Sequence, residues 1–395
     1  MKAGPLVPLI LLIAILMPGC IHTVGQGTPA GAPGLPAPSP PTIASGLPEP
    51  PAPLTPEVPV GEIPAGTTPA PLLVRGTQPA LLFDFNFSSG RTNYVITASL
   101  DPTALPSPGG GSNCPLASWR TGDEGVLASY YRSIFMDPQE DGLFTSLLTD
   151  LRRIRRMEGL NDDEYLELMV HFVQQIPYDP QAPVCPRTPA GVVLDGKGDC
   201  DEKSLILLGL LYREGYDSAI LLFPEKQHAT AGIRIQTEGH PSFRVYESGG
   251  RKYVYIETTR PSFIGLYPDD FETADPVIIP AGNGSITYRA INDVMHIVST
   301  QKRMEEKMTW IATTCSGMLT EIENLEKKLS AGIGYSTQEE YDTDYSRYST
   351  LVTQYNNNVE DFRQINEVYQ FILDHQSDRE GVSGRIANSK VENLL

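Results

Sequence analysis

Apolar residues follow three regimes along this chain. A continuous apolar run covers 6–17, no periodic apolar face exists over 28–72, and from Pro79 onward strand-like and helix-like spacings alternate. Residues 81–87 and 94–100 are β-rich runs separated by Ser-Ser-Gly-Arg-Thr-Asn, which predicts a hairpin. Over 123–175 the pattern turns helical. Leu166, Met169, Val170 and Val173 recur at helical spacing, Asn161 precedes an acidic first turn of Asp162, Asp163 and Glu164, and Pro177 stops the helix. Leu205, Ile206, Leu208, Leu211 and Tyr212 predict a second, buried helix closed by Gly215. After a turn at Pro224-Glu225-Lys226, 227–235 reads as a strand, and 243–247 with 252–258 as a hairpin around Ser-Gly-Gly-Arg.

The carboxy-terminal third has a different period. Met304, Met308, Ile311, Cys315, Met318, Ile322, Leu325 and Leu329 alternate steps of four and three, which defines one face of a long helix. A turn at Ala331-Gly332-Ile333-Gly334 and a capping box at Ser336-Thr337-Gln338-Glu339 start a second helix. Its stripe is Tyr341, Tyr345, Tyr348, Val352, Tyr355, Val359 and Phe362. The two stripes are expected to pack on each other as an intramolecular coiled coil, with an interaction arm or self-association contact as the alternative. The chain is expected to fray from about Asp378.

The amino-terminal run after Lys2 is too short for a membrane-spanning helix and fits the apolar core of a signal peptide. It ends in Met17-Pro18-Gly19-Cys20, which resembles a lipoprotein signal and implies lipidation of Cys20; plain secretion is the alternative. Between Thr28 and Leu72 there are 15 prolines, which bias the segment toward an extended spacer that buries too little surface to fold. With 35 Gly and 35 Pro in 395 residues, part of the chain must be linker. A net charge of −18, with no basic block beyond Arg152, Arg153, Arg155 and Arg156, argues against a nucleic-acid partner.

Candidate chemistry lies at 188–216. Gly191, Gly196 and Gly198 surround an irregular loop, 194–199, that delivers Cys200 to a helix N-terminus. There the helix dipole and free N–H groups favour a thiolate and could hold an oxyanion. Alone, Cys200 reads equally as a small buried cap or half of a disulfide. His228 begins a strand and Glu257 ends a neighbouring one, so antiparallel pairing can bring imidazole and carboxylate to the helix that carries the thiol. Histidine and cysteine show no metal-ligand spacing, so no metal or cofactor is implied.

Ile176-Pro177-Tyr178, Thr188-Pro189, Gly198-Asp199-Cys200-Asp201-Glu202, the segment at His228, and Tyr255-Ile256-Glu257-Thr258-Thr259-Arg260-Pro261 resemble, in that order, the transglutaminase-like cysteine peptidase superfamily. The resemblance covers about 165–265. It implies an α+β, papain-like core in which Cys200 is nucleophile, His228 general base and acid, and Glu257 the orienting acid, with Tyr178 as possible oxyanion support. Two departures stand out: Thr230 occupies a position where the family commonly has Trp, and Glu257 one often held by Asp. With Cys20 assigned to lipid, Cys200 to catalysis and Cys315 to the heptad core, Cys114 and Cys185 remain as a plausible disulfide.

The expected organisation is a signal peptide at 1–20, a Pro-rich linker at 21–78, a transglutaminase-like domain at 79–285, a helical hairpin at 286–378 and a disordered tail at 379–395. The expected function is extracytoplasmic, thiol-dependent hydrolysis or transamidation of a peptide or protein amide, tethered to the membrane by lipid. The alternative is a non-catalytic surface binding or adhesion module that keeps the fold. If Cys20 is the anchor, Cys20→Ser is expected to move the processed protein from the membrane fraction to the soluble one. Retention in the membrane fraction after normal cleavage counts against lipidation.

Overall fold

The alternation at 228–235 and 252–258 belongs to a five-stranded antiparallel sheet of which the sequence pattern marks only three strands. The structure is a computed structural model and describes residues 80–87, 90–98, 124–182, 185–236, 243–268, 271, 273–282, 284–332 and 334–395. The leader, the Pro-rich segment, Cys20 and Cys114 lie outside the described residues. The architecture is α+β. A separate hairpin of β1 (Ala80–Phe87) and β2 (Gly90–Thr97) pairs Phe87 with Gly90, so its second strand begins four residues earlier than the pattern predicts. The main sheet uses β3 (Ser218–Phe223), β4 (His228–Ile235), β5 (Val245–Ser248), β6 (Arg251–Ile256) and β7 (Val277–Pro280) in the order β5-β6-β4-β3-β7.

The missed strand β3 is buried along its whole length, so it reads as an unbroken apolar run without a period-two signal. The β5–β6 turn needs its two glycines: Gly249 and Gly250 both have positive φ, at 57° and 73°, the geometry that matches the twist of a tight hairpin. One face of the sheet, with Ile220, Leu222, Ala229, Ala231, Ile233, Val254 and Ile256, joins the main core. That core also contains α1 (Glu124–Phe135), α2 (Asp141–Glu158), α3 (Asp162–Gln174), the short α4 (Pro189–Asp195) and α5 (Cys200–Arg213). The other face carries a smaller cluster of Leu221, Phe223, Tyr246, Tyr253, Tyr255 and Phe271.

Local signals hold where side chains satisfy backbone ends. Asn161 caps α3 by accepting from the Asp163 and Glu164 N–H groups, while Glu164 returns the bond to Asn161 N at 2.7 Å. The long helices α6 (Ile291–Ala331) and α7 (Gln338–Asp374) form the expected hairpin, with Met304, Met308, Ile311, Cys315, Ile322 and Leu325 buried against Tyr348, Val352, Tyr355, Val359 and Phe362. The cap of α7 sits one residue later than predicted. Thr337 accepts from Glu340 N, and Glu340, rather than Glu339, reaches back to Ser336 N at 2.7 Å. No described helix is long and apolar enough to cross a membrane.

The expected disordered tail is instead ordered. Helix α8 (Arg379–Ser389) buries Val382 and Ile386, and Arg379 donates to Glu167 Oε1 at 2.6 Å and to Asp293 Oδ2 at 2.9 Å. Its two glycines and weak periodicity hide it from pattern reading, because tertiary ion pairs and a two-residue apolar contact define it.

Gly209 lets α5 approach α2 closely. A Cβ there would lie 2.1 Å from Cζ of the buried Phe144 ring. Gly209→Ala is therefore expected to destabilise the chain by about 1–3 kcal/mol in denaturant unfolding, despite alanine's better helix propensity. A stabilised variant contradicts this packing.

Candidate active site

The route to Cys200 is fixed before the thiol is reached. Thr188 caps α4, Pro189 occupies its first turn, and Gly196 ends it at φ 67°, so the stretch read as an irregular loop from the sequence is partly a helix. Gly198 then forms a parallel bridge with Tyr178, donating to Pro177 O at 2.9 Å and accepting from Asp179 N at 3.0 Å. A Cβ on Gly198 would meet Val192 Cγ1 at 2.8 Å, which explains the glycine. Asp199 caps α5, accepting from Glu202 N at 3.0 Å, while Glu202 Oε2 accepts from Asp199 N at 3.1 Å.

Glu202 is fully buried and held by Arg187, whose N and Nε donate to Oε1 at 2.8 and 2.7 Å and whose second terminal nitrogen donates to Oε2 at 2.7 Å. The same guanidinium reaches Asp179 at 3.0 Å and Asp195 at 2.7 Å. Two turns and a helix cap are thus clamped by one cation.

Cys200 is the first residue of α5 and is 9% exposed. Its thiol donates to Asp201 Oδ1 at 3.4 Å, and Tyr131 donates to Oδ2 of the same carboxylate at 3.0 Å. The sequence-based expectation of a thiolate favoured by the helix end does not hold. Burial first, then the Asp201 charge, push the thiol far above its ordinary range, and only the Ala229 N–H works in the other direction. Burial, aided by the acidic first turn, works against what the helix end offers.

His228 starts β4, after a left-handed Gln227 at φ 49°. Alternation turns Ala229 toward α5 and His228 toward the other sheet face, where its ring lies 5.2 Å from Phe271 and 6.2 Å, stacked, from Tyr255. Its Nε2 is 2.9 Å from the Tyr255 hydroxyl, which donates to Glu257 Oε2 at 3.3 Å. The other carboxylate oxygen accepts from Thr259 N at 2.7 Å and Thr259 Oγ1 at 2.6 Å. The structure therefore brings His228 and Glu257 together through Tyr255. Cys200 lies instead against the backbone N–H of Ala229, the residue after His228. Tyr178 is 42% exposed, and burial, then the Cys200 charge, raises its phenol.

Sequence reasoning missed the layer beneath. Lys203, fully buried, donates to Gln174 O at 3.2 Å, Ile176 O at 2.7 Å and Thr259 O at 3.3 Å. Burial pulls its ammonium down to about 7, and the Glu257 charge opposes that shift. Ser204 donates to Cys200 O at 2.6 Å and lies 3.2 Å from the Thr258 hydroxyl. Gln174 Nε2 donates to Glu257 O at 2.9 Å and Ser262 O at 3.0 Å. The available signal was a Lys and a Ser interrupting the apolar face of the α5 pattern, polar groups whose burial demands partners.

Cys185 is disulfide-bonded, whereas Cys200 and Cys315 carry free thiols; Cys114, its expected partner, lies outside the described residues. Among the described residues no group of three or more His, Cys, Asp or Glu is placed to hold a metal ion. No family model, no curated protein and no solved structure matches this chain.

Asp199 generates a pH prediction. Burial, with the Asp201 and Glu202 charges, raises its carboxyl to about 7, against opposition from the Glu202 N–H and Arg187. A carboxyl whose native pKa exceeds its unfolded value, about 3.9, binds more protons in the native state between these limits. Its stabilising contribution is thus complete below about pH 4 and is lost as pH rises through about 7. Asp199→Asn keeps a capping side chain and removes this titration, so its unfolding free energy is expected to fall less between pH 4 and 7. Parallel pH profiles for the two proteins, measured by urea unfolding, would contradict the assignment.

Proposed function

We propose that this protein is an extracytoplasmic, lipid-anchored, thiol-dependent acyl transferase or hydrolase that acts on peptide or protein amides, built on a papain-like core. The observation that carries the reading is the meeting of three chain segments at the start of β4. Cys200 lies against the Ala229 N–H, and the neighbouring imidazole is tied to Glu257. Order along the chain and residue types match the superfamily that the sequence resembles.

In this reading the S–H proton passes to His228 as sulfur adds to the amide carbon. The imidazolium then protonates the leaving amine, and a thioester remains on Cys200. Water or a second amine attacks that thioester, with His228 now removing the nucleophile's proton, which gives hydrolysis or transamidation. Because Cys200 rests as a thiol, His228 acts as a base during attack and does not draw on a stored thiolate. First-turn N–H groups of α5 and the Tyr178 hydroxyl are the donors available to a developing oxyanion.

One observation favours a second reading. A buried thiol beside a carboxylate, with no stored thiolate, equally suits a binding or adhesion module that keeps the fold without the chemistry.

The two readings separate in an assay of the full chain against a peptide pool, with and without a primary amine, followed by mass analysis of products and of Cys200. Cys200→Ala and His228→Ala are each expected to lower turnover by about a thousandfold or more while circular dichroism stays unchanged. Wild-type turnover in folded Cys200→Ala sinks the enzyme reading. Absence of both products and a Cys200 acyl adduct from the wild type supports the module.

A further inference from the structure

Glu257 reaches the imidazole only through a phenol, and this changes what each group does. Tyr255 and Glu257 are two residues apart at the end of β6, so alternation sends both side chains to the sheet face that His228 occupies. Tyr255 is fully buried and packs with Phe223 and Phe271, at ring separations of 6.2 and 6.1 Å, which leaves its hydroxyl little freedom. That hydroxyl has one proton. It donates the proton to Glu257 Oε2, so the 2.9 Å contact with His228 Nε2 is one in which the ring N–H donates and the phenol oxygen accepts.

We propose that Tyr255 is a positioning residue for the acyl-transfer chemistry: its hydroxyl bridges His228 and Glu257 and holds the proton of the neutral imidazole on Nε2, which leaves Nδ1 as the basic nitrogen of the ring. The proposal rests on the reading of Cys200 and His228 as nucleophile and base. When the thiol proton moves to Nδ1, the ring gains a positive charge and both ring nitrogens then bear protons. The Nε2–H bond to the phenol strengthens, the phenol leans further on Glu257, and no proton leaves Tyr255. Burial and the Glu257 charge hold that phenol well above its ordinary range, which keeps it a donor throughout. Thr259, with its N–H and hydroxyl on Glu257 Oε1, keeps the second oxygen aimed at the relay.

This arrangement accounts for Glu where Asp is more common in the resembled family. The acid does not have to touch the ring; it has to reach a hydroxyl projecting from its own strand. The titratable groups against this relay are Tyr255 on β6 and Glu257 just past its end, with Lys203, whose ammonium the Glu257 charge favours, and Lys226 over the Phe271 ring that packs on the imidazole; the α5 end, with Cys200, approaches through Ala229.

The test uses iodoacetamide and the full chain, following Cys200 alkylation by peptide mass from pH 5 to 10 in wild type, His228→Ala, Tyr255→Phe, Glu257→Gln and the double variant Tyr255→Phe/Glu257→Gln. Wild-type alkylation should depend on His228. Tyr255→Phe and Glu257→Gln should each slow it about tenfold near neutral pH and move the imidazole-dependent limb by about one unit, and the double variant should be no slower than the worse single. His228-dependent alkylation with a wild-type profile in Tyr255→Phe, or additive losses in the double variant, overturns the relay and leaves the Cys–His reading standing. Alkylation that ignores His228 overturns that reading and the relay with it. If Tyr255→Phe does not fold, nitrogen-15 shifts of wild-type His228 decide: a proton on Nε2 in the neutral ring supports the proposal, and one on Nδ1 overturns it.

Discussion

Two adjacent charged residues, Glu202 and Lys203, are withdrawn from water in the first turn of α5, and the site is arranged around satisfying them. An unpaired buried charge costs several kcal/mol, so each recruits distant partners. Glu202 takes Arg187 and its own helix cap, which fixes the approach to Cys200. Lys203 takes three carbonyls, one at the end of α3, one two residues past it and one from Thr259, the residue whose N–H and hydroxyl hold Glu257. Opposite charges on neighbouring positions therefore pull in opposite directions, one toward the loop before the thiol and one toward the strand end that carries the acid.

That dependence explains which parts were legible in the sequence. Caps and turns act over three or four residues, so Asn161, Gly215 and the Gly249-Gly250 turn could be read directly, as could the heptad steps from Met304 to Leu325. The positions of Cys200, His228 and Glu257 were legible as a motif, but their mutual geometry was not. Nothing local marked Tyr255, Lys203 or Asp201 for the roles they take. Each owes its role to partners dozens of positions away: Tyr131 is 70 residues from Asp201, and Thr259 is 56 from Lys203. Strand β3 escaped for the opposite reason, since burial on both faces erases alternation.

The environment of the thiol limits the chemistry on offer. Nucleophilic cysteines usually sit among positive groups, whereas this one shares its turn with Asp199 and Asp201. A resting thiol is less exposed to oxidation and adventitious alkylation than a thiolate. In the proposed reading, reactivity depends on proton removal during attack, so the orientation of His228 matters more than the polarity of the helix end.

The ion pair between Glu167 and Arg379 links positions 212 residues apart. Glu167 is enclosed by α3 and Tyr288, and burial raises its carboxyl until the guanidinium answers it. During synthesis, α3 therefore emerges long before the cation that neutralises its acid. The intervening sheet and hairpin must form, or at least collapse, around a carboxylate still lacking its counter-ion. A contact of such long range delays the closing step of folding, because the chain entropy lost in joining its ends is recovered only once the final helix docks. The carboxy-terminal helix thus acts as the keystone of a fold whose candidate site lies in its middle, and truncating it would be felt first as a failure to complete the core.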